Sequence, residues 1–598
     1  MKKNVIFLVL DSFIYYKIGN KDYGDSPTPF IDELIKKSIL CTNLYSQGPF
    51  TESGNKALLT GSDSLNNGGY MHNLNESQDI YLDVFKKSGY ETYEFFLPYY
   101  MYSNKDFKNI DHQFFTADFL FNSVYQNRLS YFANIRKERQ LTNEEYNDII
   151  YQLDLTFEAW DNFLDTKDTK KYKCIERIVK NFDFNDAKNK LNSEKQKYFT
   201  NKKAYVDNTL LLGKEHPLYN IPTCNYNDFL DEDFINKNVF RKYKSFLKES
   251  NRKQFLYNLR NQKVLKTKLA NSIIKSIKNK ALDKYFKSFI FALYSSKLMY
   301  AFKRNRFYQM LPTIRKCTNV LLEELSTRNK EKPFFVHMHM EELHNRASYF
   351  TYDINNNDYI TQEFDTYKNY LHHLKKTYKG QLLYDYALLY TDLCIKNLFI
   401  GLKDQNLLDN TVIAICADHG CSYDCVPIRD AEMTNNYHSE NYHIPLIIFD
   451  GASPVQQRIE SYHTSKDVLP SIYELCDINI PESINGKAIF NKDNQNTFAI
   501  SEYMGGGCPD MRLRPIHFMI RNKKYLLAYT VKLFEDFSSG NIKEIYDLQS
   551  DPLETKNLAK SNQYDKEEIS FLLTQLKERH CEILNSYLKH KKYKNECV

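Results

Sequence analysis

The chain has 598 residues, 42% hydrophobic and 26% charged, which excludes a disordered polymer and exceeds what a single core can organise. Its 81 basic and 75 acidic side chains leave a net charge of +6, too thinly spread to mark a nucleic-acid surface. The 12 cysteines show no paired spacing, so buried reduced thiols are expected, and no apolar run approaches the roughly 20 residues that span a bilayer.

The start, "MKKNVIFLVLDSF", has too short an apolar centre for a secretion signal and no small-residue cleavage site. It reads as a buried parallel strand ending in Asp11, and a cytoplasmic chain is expected. "TPFIDELIKKS" is a helix with Pro29 in its first turn, and "DIYLDVFKKSGYETYEFF" is a helix, a break at Gly89 and a strand. Between them, "GPFTESGNKALLTG" opens a helix with Thr51 and Ser53, hydroxyls that suit either a cap or a nucleophile. Residues 103–310 change character: helical spacing, many lysines, few glycines, read as a mostly helical insertion. The α/β alternation returns from residue 311 with "PFFVHMHMEELH", "LLDNTVIAICADHG" and "HIPLIIFDG". From 495 to 598 the pattern suggests a small antiparallel sheet and a closing helix. The fold class is therefore α/β, with a mostly parallel central sheet over 1–102 and 311–494 flanked by helices.

In open α/β sheets, ligands bind where strands end. Asp11 ends one strand and Asp418 and His419 end another, so their convergence on Thr51 would make an oxygen/nitrogen site for a divalent ion. Zinc or manganese suits it best, with calcium or magnesium also admissible. A metal there would lower the threonine hydroxyl's pKa. His337 and His339 share one face of their strand, where packing under a helix is the plainer role. The Cys416, Cys421 and Cys425 spacing is no zinc signature without a second pair.

Taken in order, "NVIFLVLD", "TPFIDELIKKSILCTNLYSQGPFTESGNKALLTG", "PFFVHMHMEELH", "LLDNTVIAICADHG", "HIPLIIFDG", "DVLPSIYELCDINIPESINGKAIF" and "EIYDLQSDPLETKNLA" resemble the sulfatase branch of the alkaline phosphatase superfamily. The resemblance covers residues 1–100 and 315–560. It implies Thr51 as nucleophile, with Asp11, Thr51, Asp418 and His419 as metal ligands. It also puts His344 beside the transferred group, His339 near substrate, and His438 or His443 as an acid-base or substrate-binding group. A second ion on Glu342, His344 and His443 is the alternative to one.

The departures carry the functional expectation. Sulfatases use a Cys or Ser in a Cys/Ser-x-Pro-x-Arg setting, matured to formylglycine. Here the stretch is Thr51-Glu52-Ser53-Gly54-Asn55. Lys56 is offered as a substitute for the missing arginine, its plainer role being a solvated helix lysine. A Thr nucleophile resembles the family's phosphoglycerol and phosphoethanolamine transferases. The expectation is thus a metal-dependent phosphotransferase or phosphodiesterase acting on an anionic ester, with a glycan, a small-molecule hydroxyl or water as acceptor. The alternatives are a sulfate-ester hydrolase with an unusual nucleophile, or a non-catalytic binding protein on the same fold.

Overall fold

The protein is described from a computed structural model covering residues 2–19, 26–71, 74, 76, 79–97, 106, 108–116, 120–165, 184–221, 313–344, 382–421, 437–491, 495–505 and 511–597. Eight strands form the main sheet: β1 (Asn4–Leu10), β2 (Ile39–Tyr45), β3 (Glu91–Leu97), β4 (His112–Thr116), β5 (Phe334–Met340), β6 (Thr411–Cys416), β7 (His443–Asp450) and β8 (Gln457–Thr464). Their order is β4-β3-β5-β1-β6-β7-β2-β8. β1 runs parallel to both neighbours, and only β7 opposes the strands beside it.

Every residue of β1, β5 and β6 is buried. That is the physical content of an unbroken apolar run: a parallel strand covered on both faces has no solvent side to alternate with. The covering helices are α1 (Pro29–Leu34), α2 (Thr51–Thr60), α3 (Tyr81–Lys87), α8 (Ile314–Thr327), α9 (Leu382–Asp404) and α10 (Val468–Leu475). Pro29 opens α1, where its missing N–H costs nothing. The α1 N-terminus is closed by the buried Asp392 of α9, which accepts from Phe30 N and Ile31 N at 2.8 Å each.

Three strands were not anticipated: β2, β4 and β8. β4 adds the outermost strand beside β3, so the main sheet extends into the segment expected to be a helical insertion. The described part of that segment is otherwise helical: α4 (Leu120–Glu138), α5 (Asn143–Asp165), α6 (Phe184–Thr200) and α7 (Lys202–Leu212). The lysine-rich stretch from 271 to 306 lies outside the described residues. A second, antiparallel sheet runs β12-β11-β10-β9, built from β9 (Phe498–Tyr503), β10 (Pro515–Asn522), β11 (Tyr525–Lys532) and β12 (Asn541–Asp547). Phe518 and Ile520, alternate residues of β10, share a core with Ile569, Leu572, Leu576 and Ile583 of the closing helix α11 (Lys566–Cys597). Each such side chain contributes about 1.5–3 kcal/mol by leaving water.

Among the described residues no helix is long and apolar enough to cross a membrane. Cys41, Cys317, Cys394, Cys416 and Cys476 are buried, Cys421 is half-buried, and Cys581 is exposed. Cys425 lies outside the described residues.

Candidate active site

The sheet order explains why distant motifs meet. β1 lies between β5 and β6, with Val9 opposite both His339 and Cys416. The chain therefore delivers Asp11, His339 and Asp418 to one edge from three adjacent strands. Ser12 turns the chain there at φ 68°, a left-handed conformation that L side chains rarely hold. Tyr384 of α9 fixes that turn by donating its hydroxyl to Ser12 O at 2.8 Å, and Ser12 Oγ donates to Asp11 Oδ1 at 2.8 Å.

α2 completes the site. Its N-cap is Phe50, whose side chain makes no capping bond. Thr51 is thus the first helical residue, and its hydroxyl is not spent on the helix. Oγ1 lies 3.4 Å from Asp11 Oδ2 and 3.3 Å from His419 Nε2. Ser53 turns the other way, donating to Phe50 O at 3.0 Å and packing against Gly48. Of the two hydroxyls at the helix start, Thr51 is the one brought to the strand ends. Gly54 permits this, because a Cβ there would lie 2.2 Å from the Asp418 carbonyl.

The ionisable groups crowd together. His339 Nε2 lies 3.4 Å from Asp11 Oδ2, and His419 Nε2 lies 3.4 Å from Asp11 Oδ1 and 3.7 Å from Asp418 Oδ2. Burial alone would raise the Asp11 carboxyl, but the charges of His344, His419 and His339 overcome it and hold it well below the usual carboxylate range. Burial, then the Asp11 charge, push Asp418 up. Burial would lower His339, yet its bond to Asp11 and the Asp418 charge raise it to about 9.

This chemistry fits a divalent cation. The His419 Nδ1–H donates to Gly420 O at 2.6 Å, which aims Nε2 at the carboxylates and Thr51. Asp418 Oδ2 is buried with no hydrogen-bond partner. Asp11, His339 and Asp418 each offer one ligand atom within 4.8 Å of the others, the single such cluster among the described residues. Such a gathering of lone pairs needs positive charge within it, from protons or from a cation.

His344 stands exposed beside the cluster, its ring 6.2 Å from that of His419, and the Asp11 charge raises its pKa. His438 is buried against Glu554 at 3.3 Å, where Glu554 also accepts from Arg521 at 2.9 Å. His443 is stacked between Tyr15 and Tyr45, at 4.3 and 4.8 Å, and donates Nε2–H to Thr42 O at 2.8 Å. Neither is brought to Asp11. Lys56 is buried, not the solvated helix lysine of the plainer expectation. Glu342 caps α8 through Ile314 N, so the alternative second-ion set is not assembled. His337 binds Glu94 at 2.9 Å, deeper in the sheet. Sequence reasoning placed His339 near substrate rather than among the ligand atoms. Only the β1–β5 register reveals that place.

Comparison with known proteins follows the same lines. A family model described as Sulfatase matches residues 3–478, and one described as N-sulphoglucosamine sulphohydrolase, C-terminal, matches residues 435–583. An arylsulfatase of Clostridium perfringens is 21% identical over 198 residues, 32% of this chain and 38% of that protein. Arylsulfatase K of Bos taurus is 22% identical over 172 residues, 28% of this chain and 31% of that protein. The chain thus spans about a third of the length of these relatives. Similar solved structures include a candidate sulfatase of Bacteroides thetaiotaomicron VPI-5482, with TM-score 0.48, 13% identity, and coverage of 100% of this chain and 94% of that one. A phosphonate monoester hydrolase of Agrobacterium radiobacter gives TM-score 0.47, 11% identity, and coverage of 98% and 96%. With residues 3–478 matched by one family model, the chain belongs to the sulfatase family.

Proposed function

We propose that this sulfatase-family chain cleaves or transfers an anionic ester, a phosphodiester in preference to a sulfate ester, with Thr51 Oγ1 as nucleophile. The observation that carries the reading is the Thr51 hydroxyl, uncommitted to helix capping and 3.3–3.4 Å from His419 and Asp11. Asp11, His339, Asp418 and His419 would hold a divalent ion. When bound, such an ion supplies the positive charge that lowers the threonine hydroxyl's pKa and offsets the ester's oxygens.

The chain's own groups then carry the proton traffic. The Thr51 oxygen, its proton lost to solvent, attacks phosphorus, and the bond to the leaving alcohol breaks. His344, whose ring stands beside that of His419, gives its proton to the departing oxygen. Water or an acceptor hydroxyl then attacks the phospho-threonine, returning its proton to His344 and freeing the Thr51 oxygen. The α2 N-terminus favours anionic groups at Thr51 throughout.

The test pairs bis(p-nitrophenyl) phosphate with p-nitrophenyl sulfate, each with manganese or zinc. Phosphodiester turnover is expected to dominate and to fall about a thousandfold or more in Thr51→Ala, with a phosphorylated Thr51 peptide detected by mass spectrometry. Undiminished turnover in Thr51→Ala would sink the assignment. Faster sulfate turnover would favour the second reading, sulfate-ester hydrolysis, which the Sulfatase and sulphohydrolase C-terminal matches support.

A further inference from the structure

Thr51 is held from both sides by groups outside α2. Ahead of it, Phe50 packs edge-on against Tyr70 and Tyr503, at 5.7 and 6.0 Å. Behind it, the Glu52 carboxylate accepts from Arg128 Nη2 at 3.2 Å. Arg128 belongs to α4, outside the residues 1–100 and 315–560 that carry the motif resemblance. Its side chain is 2% exposed, against 15% for Glu52. The same guanidinium donates to Gln152 Oε1 of α5 at 3.0 Å and to Tyr70 O at 3.4 Å. It therefore ties together Glu52 and Tyr70, the residue that packs on Phe50.

The electrostatics give this fork a purpose. An acidic residue in the first turn stabilises a helix, but beside Thr51 it opposes the approach of an anion. A buried guanidinium removes that conflict: Nη2 pairs with Glu52 Oε1 while Nη1 is held by Gln152, so the carboxylate is opposed by a fixed positive charge. We propose that Arg128 is a positioning residue: it locks the first turn of α2 and cancels the Glu52 charge where an anionic ester must dock. This assignment rests on the reading of Thr51 as nucleophile. The helical segment becomes part of the catalytic apparatus, supplying from another element a guanidinium that the Thr51–Asn55 stretch lacks.

The full chain, loaded with manganese and assayed on bis(p-nitrophenyl) phosphate, tests it. Arg128→Met is expected to raise KM about tenfold and to lower kcat. Adding Glu52→Gln to that variant restores KM, because the uncompensated carboxylate is gone, while kcat stays low. Arg128→Lys keeps the charge but loses the fork, so KM holds and kcat falls. This variant carries the test if Arg128→Met fails to fold. Wild-type kinetics in Arg128→Lys, or no KM recovery in the double variant, overturns the assignment. Thr51→Ala separates the two readings. If it is inactive while the Arg128 variants match wild type, only the Arg128 assignment falls. If it retains full turnover, the nucleophile itself is misassigned.

Discussion

The two ends of α2 carry two buried carboxylate clusters built on opposite principles. Just beyond its C-terminus, Asp63 receives Lys466 at 2.8 and 2.9 Å, Asn485 at 2.6 Å and Gln47 at 3.0 Å. Arg579 of α11 grips Glu502 through two bonds of 2.7 and 2.8 Å, with Asp63 3.7 Å away. Burial would raise Asp63, but Arg579 and Lys466 hold it far below the usual range. At the N-terminal end Ser12 Oγ and the His419 N–H give Asp11 and Asp418 one neutral bond each at 2.8 Å, the contacts to imidazoles and to Thr51 are 3.3–3.7 Å, and Asp418 Oδ2 is left without a hydrogen-bond partner. Short bonds to permanent cations make a structural joint. Long contacts among acids and imidazoles make a place for exchangeable positive charge.

The same substitution at each end should therefore give unlike results. Asp63→Asn leaves the buried Arg579 and the half-buried Lys466 with too little negative charge, so a loss of about 3 kcal/mol in denaturant unfolding is expected. Manganese binding should persist in whatever remains folded. Asp418→Asn in the metal-free chain should cost less than about 1 kcal/mol, because it relieves the repulsion from Asp11 that helps raise the Asp418 pKa. Its effect appears on adding metal. Manganese at a hundred times its Kd should stabilise the wild-type chain by about 2.7 kcal/mol, and this increment should vanish in Asp418→Asn. Thermal unfolding with and without manganese reads both. A large loss in metal-free Asp418→Asn, with none in Asp63→Asn, would reverse the roles of the two clusters.

How far such a contrast was legible in the sequence depended on how local each signal was. β1, β5 and β6 announce themselves as continuous apolar runs, and Pro29 and Gly89 punctuate their neighbours. β2, by contrast, reads "ILCTNLY", with Thr42 and Asn43 only half-buried and a register shift against β7 and β8. β8 alternates polar residues at the sheet edge, so neither made a clear strand pattern. Asp11, Thr51, Asp418 and His419 were named from motif order and do lie together. The inward place of His339 depends on strand register, which no local pattern encodes. Arg128 was invisible for the same reason: its value comes from Glu52, 76 positions away. His438 and His443 were drawn in by their nearness to a strand start, whereas packing decides their surroundings.

His443 sharpens the comparison as a third case, a half-buried ionisable group kept neutral by its neighbours. Stacked between two tyrosines, it is lowered to about 3 by burial first and then by the Arg521 charge. His517, stacked on Tyr503 and accepting from the Tyr437 hydroxyl at 2.6 Å, is lowered to about 4, mainly by burial. Both folded pKa values lie below the unfolded one near 6.5. The unfolded chain therefore takes up protons first as pH falls, and stability is lost from about pH 6.5 downward until the folded imidazoles also charge. At pH 5.5 each should cost about 1 kcal/mol relative to pH 7.5. The Asp63 cluster titrates in another window: its depressed carboxyl contributes stability present above the ordinary aspartate value near 4, lost only at more acidic pH. His339, raised to about 9 in the metal-free chain, works the other way, gaining stability as pH falls toward 6.5. The His443 share between pH 7.5 and 5 is therefore read as the difference between variant and wild type, and unfolding below pH 4 adds the ion network. His443→Phe, which keeps the ring stack but cannot charge, should shallow the first slope by about 1 kcal/mol at pH 5.5. The same slope in that variant as in wild type would show that the imidazole between Tyr15 and Tyr45 already shares its proton in the folded chain.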